Sequence, residues 1–131
     1  EFNMKNLANR YIHLTNDAVQ KFHEDYGKFE PGNKLSYADF QRYLDLGNNG
    51  NEGQKLKFWN QAYPEMKKLA TDAIRATYTQ MDKNKKEFSF EIFGLDFLID
   101  ENFKVWLIEA NTNPCLELSC PLLGRLIPGM L

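Results

Sequence analysis

Asp96, Glu109 and Asn111 are the residues of this chain whose types and spacing are best suited to chemistry. Glu109 and Asn111 are two positions apart in a run of branched and aromatic residues, and alternating strand side chains place them on one face. If the run at 88–98, extending to Asp100, pairs with the run at 104–111, Asp96 falls opposite Leu107 or Glu109. Either register brings Asp96 to the face of Glu109, directly or diagonally. Two carboxylates held this close repel and raise each other's pKa, and a divalent cation relieves the repulsion. Two carboxylates and an amide carbonyl are hard oxygen donors, too few to cage calcium but suited to magnesium, which keeps several waters and shares its shell with phosphates. The donor set therefore points to a magnesium nucleotide. Leu95, Phe97, Leu98, Trp106, Leu107 and Ile108 around it predict a hairpin buried on both faces.

The segment Phe-Gly-Leu-Asp-Phe-Leu-Ile-Asp, followed by Val-Trp-Leu-Ile-Glu-Ala-Asn-Thr-Asn-Pro-Cys-Leu, resembles the C-terminal metal-binding signature of the tubulin tyrosine ligase and tubulin tyrosine ligase-like family. Upstream, His-Leu-Thr-Asn at 13–16, with Val19, Gln20 and Lys21 after it, is similar to that family's second signature. The resemblance covers nearly the whole chain and only the later half of a family catalytic domain. It implies an α+β fold, the C-terminal part of an ATP-grasp domain, with an antiparallel sheet and packed helices.

What the resemblance implies chemically is ligation. ATP transfers its γ-phosphate to a carboxylate, and an amine attacks the acylphosphate to form an amide or isopeptide bond. ATP and Mg2+ are the implied cofactors, with Asp96, Glu109 and Asn111 as metal ligands and Thr15 and Asn16 as ATP contacts. Lys34 is a weaker transfer, as a lysine approaching the amino-acid substrate. The implied partners are tubulin or microtubules and a free amino acid: glutamate, glycine or tyrosine. Asn113-Pro114-Cys115 resembles the ligase-like branch and favours polyglutamylation or glycylation. The implied location is cytoplasmic, on the cytoskeleton or in a cilium or basal body. A second reading, from a different class, is a noncatalytic module that binds tubulin or axonemal partners while keeping the ligase fold.

Composition agrees with a folded, globular chain. The 131 residues are 43% hydrophobic and 14% aromatic, enough for a core, with a formal net charge of −2. No long basic block is present, so a nucleic-acid partner is not expected. No run reaches the length of a membrane span. The chain opens on Glu1 and ends in an apolar stretch, so residues 1–131 are expected to be a partial catalytic domain truncated at both ends. The phosphate-holding lysines and the substrate arginine of the family are expected before residue 1, and the fragment alone is expected to be inactive.

Supporting elements follow from local pattern. Residues 9–15 read as a short strand, and Thr15 or Asn16 suits the cap of a turn from Asp17 to Phe22. His13 lacks a second histidine at ligand spacing and reads as a hydrogen-bonded structural side chain. Ser36 and Asp39 form a capping-box pattern opening a helix through Asp45, with Tyr37, Phe40 and Leu44 on its apolar face. Residues 46–54 read as a flexible loop, since no strand precedes the glycines and no Gly-Lys-Ser or Gly-Lys-Thr follows. Residues 55–62 suggest a short helix burying Leu56 and Trp59. Pro64 then opens a longer helix ending near Met81 and Asp82. Lys86 and Glu87 occupy the fifth and sixth places of a loop from Asp82, which excludes a helix-loop-helix calcium site. Cys115 and Cys120 have no partners for a zinc site and read as buried, reduced thiols.

Overall fold

The computed structural model describes residues 3–47 and 57–130. The chain is α+β and divides into two compact units, residues 1–36 with 116–131 and residues 37–115. Most of the loop expected at 46–54, with Lys55 and Leu56, lies outside the described residues.

In the second unit, α2 (Tyr37–Gly47) begins one residue after Ser36, where the capping pattern put its start. A five-residue π turn, Phe58–Ala62, leads into α3 (Tyr63–Met81), with Pro64 in the first helical turn and Asp82 at the C-cap. Strands β1 (Gly94–Ile99) and β2 (Val105–Asn111) form a two-stranded antiparallel sheet.

The π turn sets the core. Its closing bond runs from the Tyr63 N–H to the Phe58 carbonyl, five residues back, and it leaves Phe58 and Ala62 buried at 1% and 0% exposure. Trp59, expected inside, is 48% exposed and packs its edge on Tyr37, Phe58 and Tyr63. The difference is geometric: a 3.6-residue period does not hold through a π turn. Phe58 stacks on Tyr37 at 4.5 Å and meets Phe40 edge-on at 5.9 Å. Val105 joins Phe58 and Ala62, and Phe97, Ile99, Phe103, Met66 and Leu69 close around them.

The strand expected from residue 88 starts only at Gly94. Phe88 has φ 55° and is fully exposed, a backbone that cannot continue a ladder. The turn from Asp100 to Lys104 is tight: Phe103 donates its N–H to the Asp100 carbonyl at 2.9 Å, and Asp100 donates its own to the Lys104 carbonyl at 3.0 Å. Phe103 takes φ 62° there, a strain offset by packing its ring on the core.

In the first unit, residues 9–15 are not a strand. Asn9 Oδ1 accepts the Tyr11 N–H at 3.1 Å and caps a 3-10 turn, Arg10–Ile12. Helix α1 (Asp17–Gln20) follows, and the Gln20 amide donates to the carbonyls of Tyr11 at 2.8 Å and Leu14 at 2.6 Å. These bonds satisfy backbone groups that a lone strand would leave unpaired. His13 is structural as expected, its Nε2 lying 2.8 Å from the Asn6 carbonyl. The tail forms α4 (Pro121–Met130). Both cysteines are free, but only Cys120 is buried and Cys115 is exposed.

Candidate functional site

Asp96 pairs with Glu109 in the ladder, and Gly94 with Asn111. The Asn111 Nδ2 donates to Glu109 Oε1 at 3.1 Å and to Asp96 Oδ2 at 3.3 Å, so one amide group bridges the two carboxylates. The structure thus brings all three side chains together on one face. Partial desolvation pushes the Asp96 carboxyl above its ordinary pKa, and the adjacent Glu109 carboxyl pushes the same way; the Asn111 N–H partly offsets both.

That electrostatic tension is what a cation relieves. The amide N–H now supplies the positive end between the two oxygens, and rotating the amide by half a turn would present Oδ1 in its place. Two carboxylates and one amide oxygen fit a magnesium ion that retains water, and fit zinc poorly. Among the described residues no cluster of three or more His, Cys, Asp or Glu side chains forms a competing centre.

Burial on both faces does not hold. Phe97, Ile99 and Val105 pack on the core, whereas Leu98 is 50% and Trp106 46% exposed on the face of Asp96. Asp96, Glu109 and Asn111 are themselves exposed. Only one side of the hairpin has α3 and the π turn against it; the other carries the acidic residues.

Thr15, Asn16 and Lys34 belong to the first unit. Thr15 and Asn16 are exposed, and Asn16 precedes α1 without a side-chain cap bond, its carbonyl accepting the N–H groups of Val19 and Gln20 at 2.9 Å. The Asn16 side chain is therefore not consumed by capping. Lys34 is held: its ammonium donates to Asp17 Oδ1 and to the Gly32 carbonyl, both at 3.3 Å. Tyr26 donates its hydroxyl to the same Asp17 oxygen at 2.7 Å, and these bonds keep the Asp17 carboxyl below its ordinary pKa, Tyr26 first. Gly32, at φ 66°, makes the turn beneath Lys34, and a side chain there would meet Cys120 Cβ at 3.4 Å. Sequence reasoning passed over Asp17; its position directly after Thr15 and Asn16 was the available signal.

It also passed over the closing bonds of the hairpin. Asp100 Oδ1 accepts the N–H groups of Asn102 at 2.9 Å and Lys104 at 3.0 Å, and Oδ2 accepts the Trp106 indole N–H at 3.0 Å. The Lys104 ammonium lies 3.8 Å over the Trp106 ring.

Comparison with known proteins identifies the family. The profile of the tubulin-tyrosine ligase family matches residues 1–131. Tubulin glycylase 3B of Tetrahymena thermophila is 32% identical over 131 residues, all of this chain and 10% of that protein. Human protein monoglycylase TTLL8 is 33% identical over 88% of this chain and 13% of its own length. Rat protein polyglycylase TTLL10 is 33% identical over 90% of this chain and 17% of its own. The chain spans less than a fifth of each of these relatives. With residues 1–131 matched, the chain belongs to the tubulin-tyrosine ligase family.

Proposed function

We propose that this chain is the metal-binding part of an ATP- and Mg2+-dependent ligase that adds glycine to tubulin through an acylphosphate. The observation that carries the proposal is the meeting of Asp96, Glu109 and Asn111 on one strand face, bridged by a single amide. Glycine is favoured over glutamate and tyrosine because the relatives named above are glycylases. The ATP-grasp fold and a site on the cytoskeleton, including cilia, belong to the same proposal.

Bound magnesium would neutralise phosphate charge, which lowers the repulsion between ATP and the carboxylate that it phosphorylates. Asp96 and Glu109 supply the two negative charges that hold such an ion, and Asn111 supplies a neutral third oxygen. None of the three serves as a covalent nucleophile. Thr15 and the uncapped Asn16 present a hydroxyl and an amide as phosphate contacts. Lys34, already bent onto Asp17, would approach the amino-acid substrate only by exchanging that partner.

The test is Glu109→Gln in the longer protein that contains this chain, with labelled glycine and tubulin as substrates. Loss of ATP-dependent incorporation with an unchanged circular dichroism spectrum is expected. Near-normal turnover removes the metal role, and labelled glutamate incorporated in place of glycine removes the substrate assignment.

A noncatalytic tubulin-binding module is the second reading. One observation favours it: the Asn111 amide links both carboxylates through the chain's own side chains, a contact that a purely structural role also explains.

A further inference from the structure

Next to the turn, β1 and β2 pair regularly, Ile99 with Val105, Leu98 with Trp106 and Phe97 with Leu107. A register shift then falls between Phe97 and Asp96, and Asp96 pairs with Glu109, leaving Ile108 without a partner. That extra residue is a β-bulge.

Its consequence is a change of face. Val105 is buried on the core side, and regular alternation would put Leu107 and then Glu109 on that same side. In an unbroken ladder continued from the turn, Ile108 would stand opposite Asp96, and Glu109 would stand opposite Leu95. Leu95 and Phe97 border a cleft with Tyr63, Met66, Lys67 and Ala70 of α3, so Glu109 would turn its carboxylate toward a mostly apolar surface that holds one lysine and away from Asp96 and the open face. A one-residue slip moves every later side chain across the sheet. Drawing a carboxylate off the solvated face costs hydration, whereas an unpaired Ile108 at 60% exposure is tolerated.

We infer that the bulge at Ile108 is the positioning device of the metal site: it rotates Glu109 and Asn111 out of the core register and onto the face of Asp96. The inference rests on the ligase reading only in calling the triad a metal site. The role belongs to the residue count, not to the isoleucine side chain, and that makes it separable from ordinary packing.

Two variants of the 131-residue chain each restore a regular ladder but with opposite results. Deleting Ile108 leaves Leu107 opposite Phe97 and Glu109 opposite Asp96, still on the outer face. Inserting an alanine between Asp96 and Phe97 gives Ile108 a partner and turns both Asp96 and Glu109 toward α3. Mn2+ is the probe, read as paramagnetic broadening of the Asp96, Glu109 and Asn111 amide resonances. The deletion variant is expected to keep the midpoint of the parent, and the insertion variant to need about tenfold or more Mn2+. Side-chain NOEs from Glu109 to Tyr63 or Met66 are expected in the insertion variant alone. Broadening in the insertion variant at the parental concentration, or its loss in a deletion variant whose hairpin NOEs persist, overturns the inference. If the parent itself binds no Mn2+, the ligase reading fails while the NOEs still decide the register: Glu109 contacts to α3 in the parent or the deletion variant overturn it.

Discussion

Trp106 donates its indole N–H to the Asp100 carboxylate, and this bond closes the hairpin across its turn. Asp100 also accepts two backbone N–H groups, so one carboxylate organises the residues from which the ladder starts. Register is counted from that turn, and the position of Glu109 depends on it. Asp100 is held below its ordinary pKa by the Trp106 bond first and by the Lys104 backbone N–H next. A carboxyl depressed in the folded state contributes stability above its unfolded pKa of about 4, and the contribution is lost as pH falls through the folded value. Thermal melts of the parent and Asp100→Asn are expected to differ most near neutral pH and to converge in acid. A difference that persists unchanged at low pH would mean that the charge of Asp100 is not what organises the turn.

Phe58 anchors the second unit, and its removal leaves a cavity between α2, α3 and β2. Phe58→Ala is expected to cost about 3–5 kcal/mol in a denaturant titration. Trp59→Ala is expected to cost clearly less, because nearly half of that side chain already meets water. Equal losses from the two substitutions would contradict the π-turn geometry.

These two residues show where the sequence was readable and where it was not. The start of α2 after Ser36, the Pro64 opening of α3 and its end at Asp82 follow from capping and periodicity, which are local rules. Asp96 was expected opposite Leu107 or Glu109 and pairs with Glu109, but that facing depends on a register shift between Asp96 and Phe97. Trp59 was misplaced because an i→i+5 bond changes the period without an obvious composition cue. The bulge was illegible for a related reason: Leu107, Ile108 and Glu109 carry no glycine or proline to mark it, and the extra residue is selected by which side chain the core rejects. Exposed Leu98 and Trp106 read as core from composition alone. The Asp17–Lys34 bond joins positions 17 apart, beyond any local pattern.

That bond has its own test. Lys34 is less exposed than Lys28 or Lys68, at 28% against 63% and 67%, and its ammonium is directed to Asp17. Asp17→Ala is expected to raise the rate at which an amine-reactive reagent labels Lys34, relative to Lys28 as an internal standard. Tyr26→Phe removes one donor to the same carboxylate and is expected to leave the Lys34 bond in place, with a much smaller change in labelling. An unchanged Lys34 rate in Asp17→Ala would show that the ion pair does not restrain the lysine.

The carboxylate pair makes stability depend on its counter-charge. Because Asp96 is pushed up, chiefly by lost solvation and then by Glu109, its ionised form is disfavoured in the folded chain relative to the unfolded one. Asp96→Asn is therefore expected to raise the melting temperature at neutral pH without metal, while abolishing any rise caused by Mg2+. For the parent, a ligand bound only by the folded state stabilises by mass action, about 1.4 kcal/mol at ten times its dissociation constant. Mg2+ is expected to raise the parental melting temperature, with EDTA reversing the rise and Asp96→Asn and Glu109→Gln showing none. Asn111→Asp replaces the bridging amide with a third anion, so the melting temperature should fall in EDTA and recover more steeply with Mg2+ than in the parent. Equal Mg2+ responses from the parent and the Asp96→Asn chain would place the ion elsewhere and leave the amide bridge as a purely structural contact.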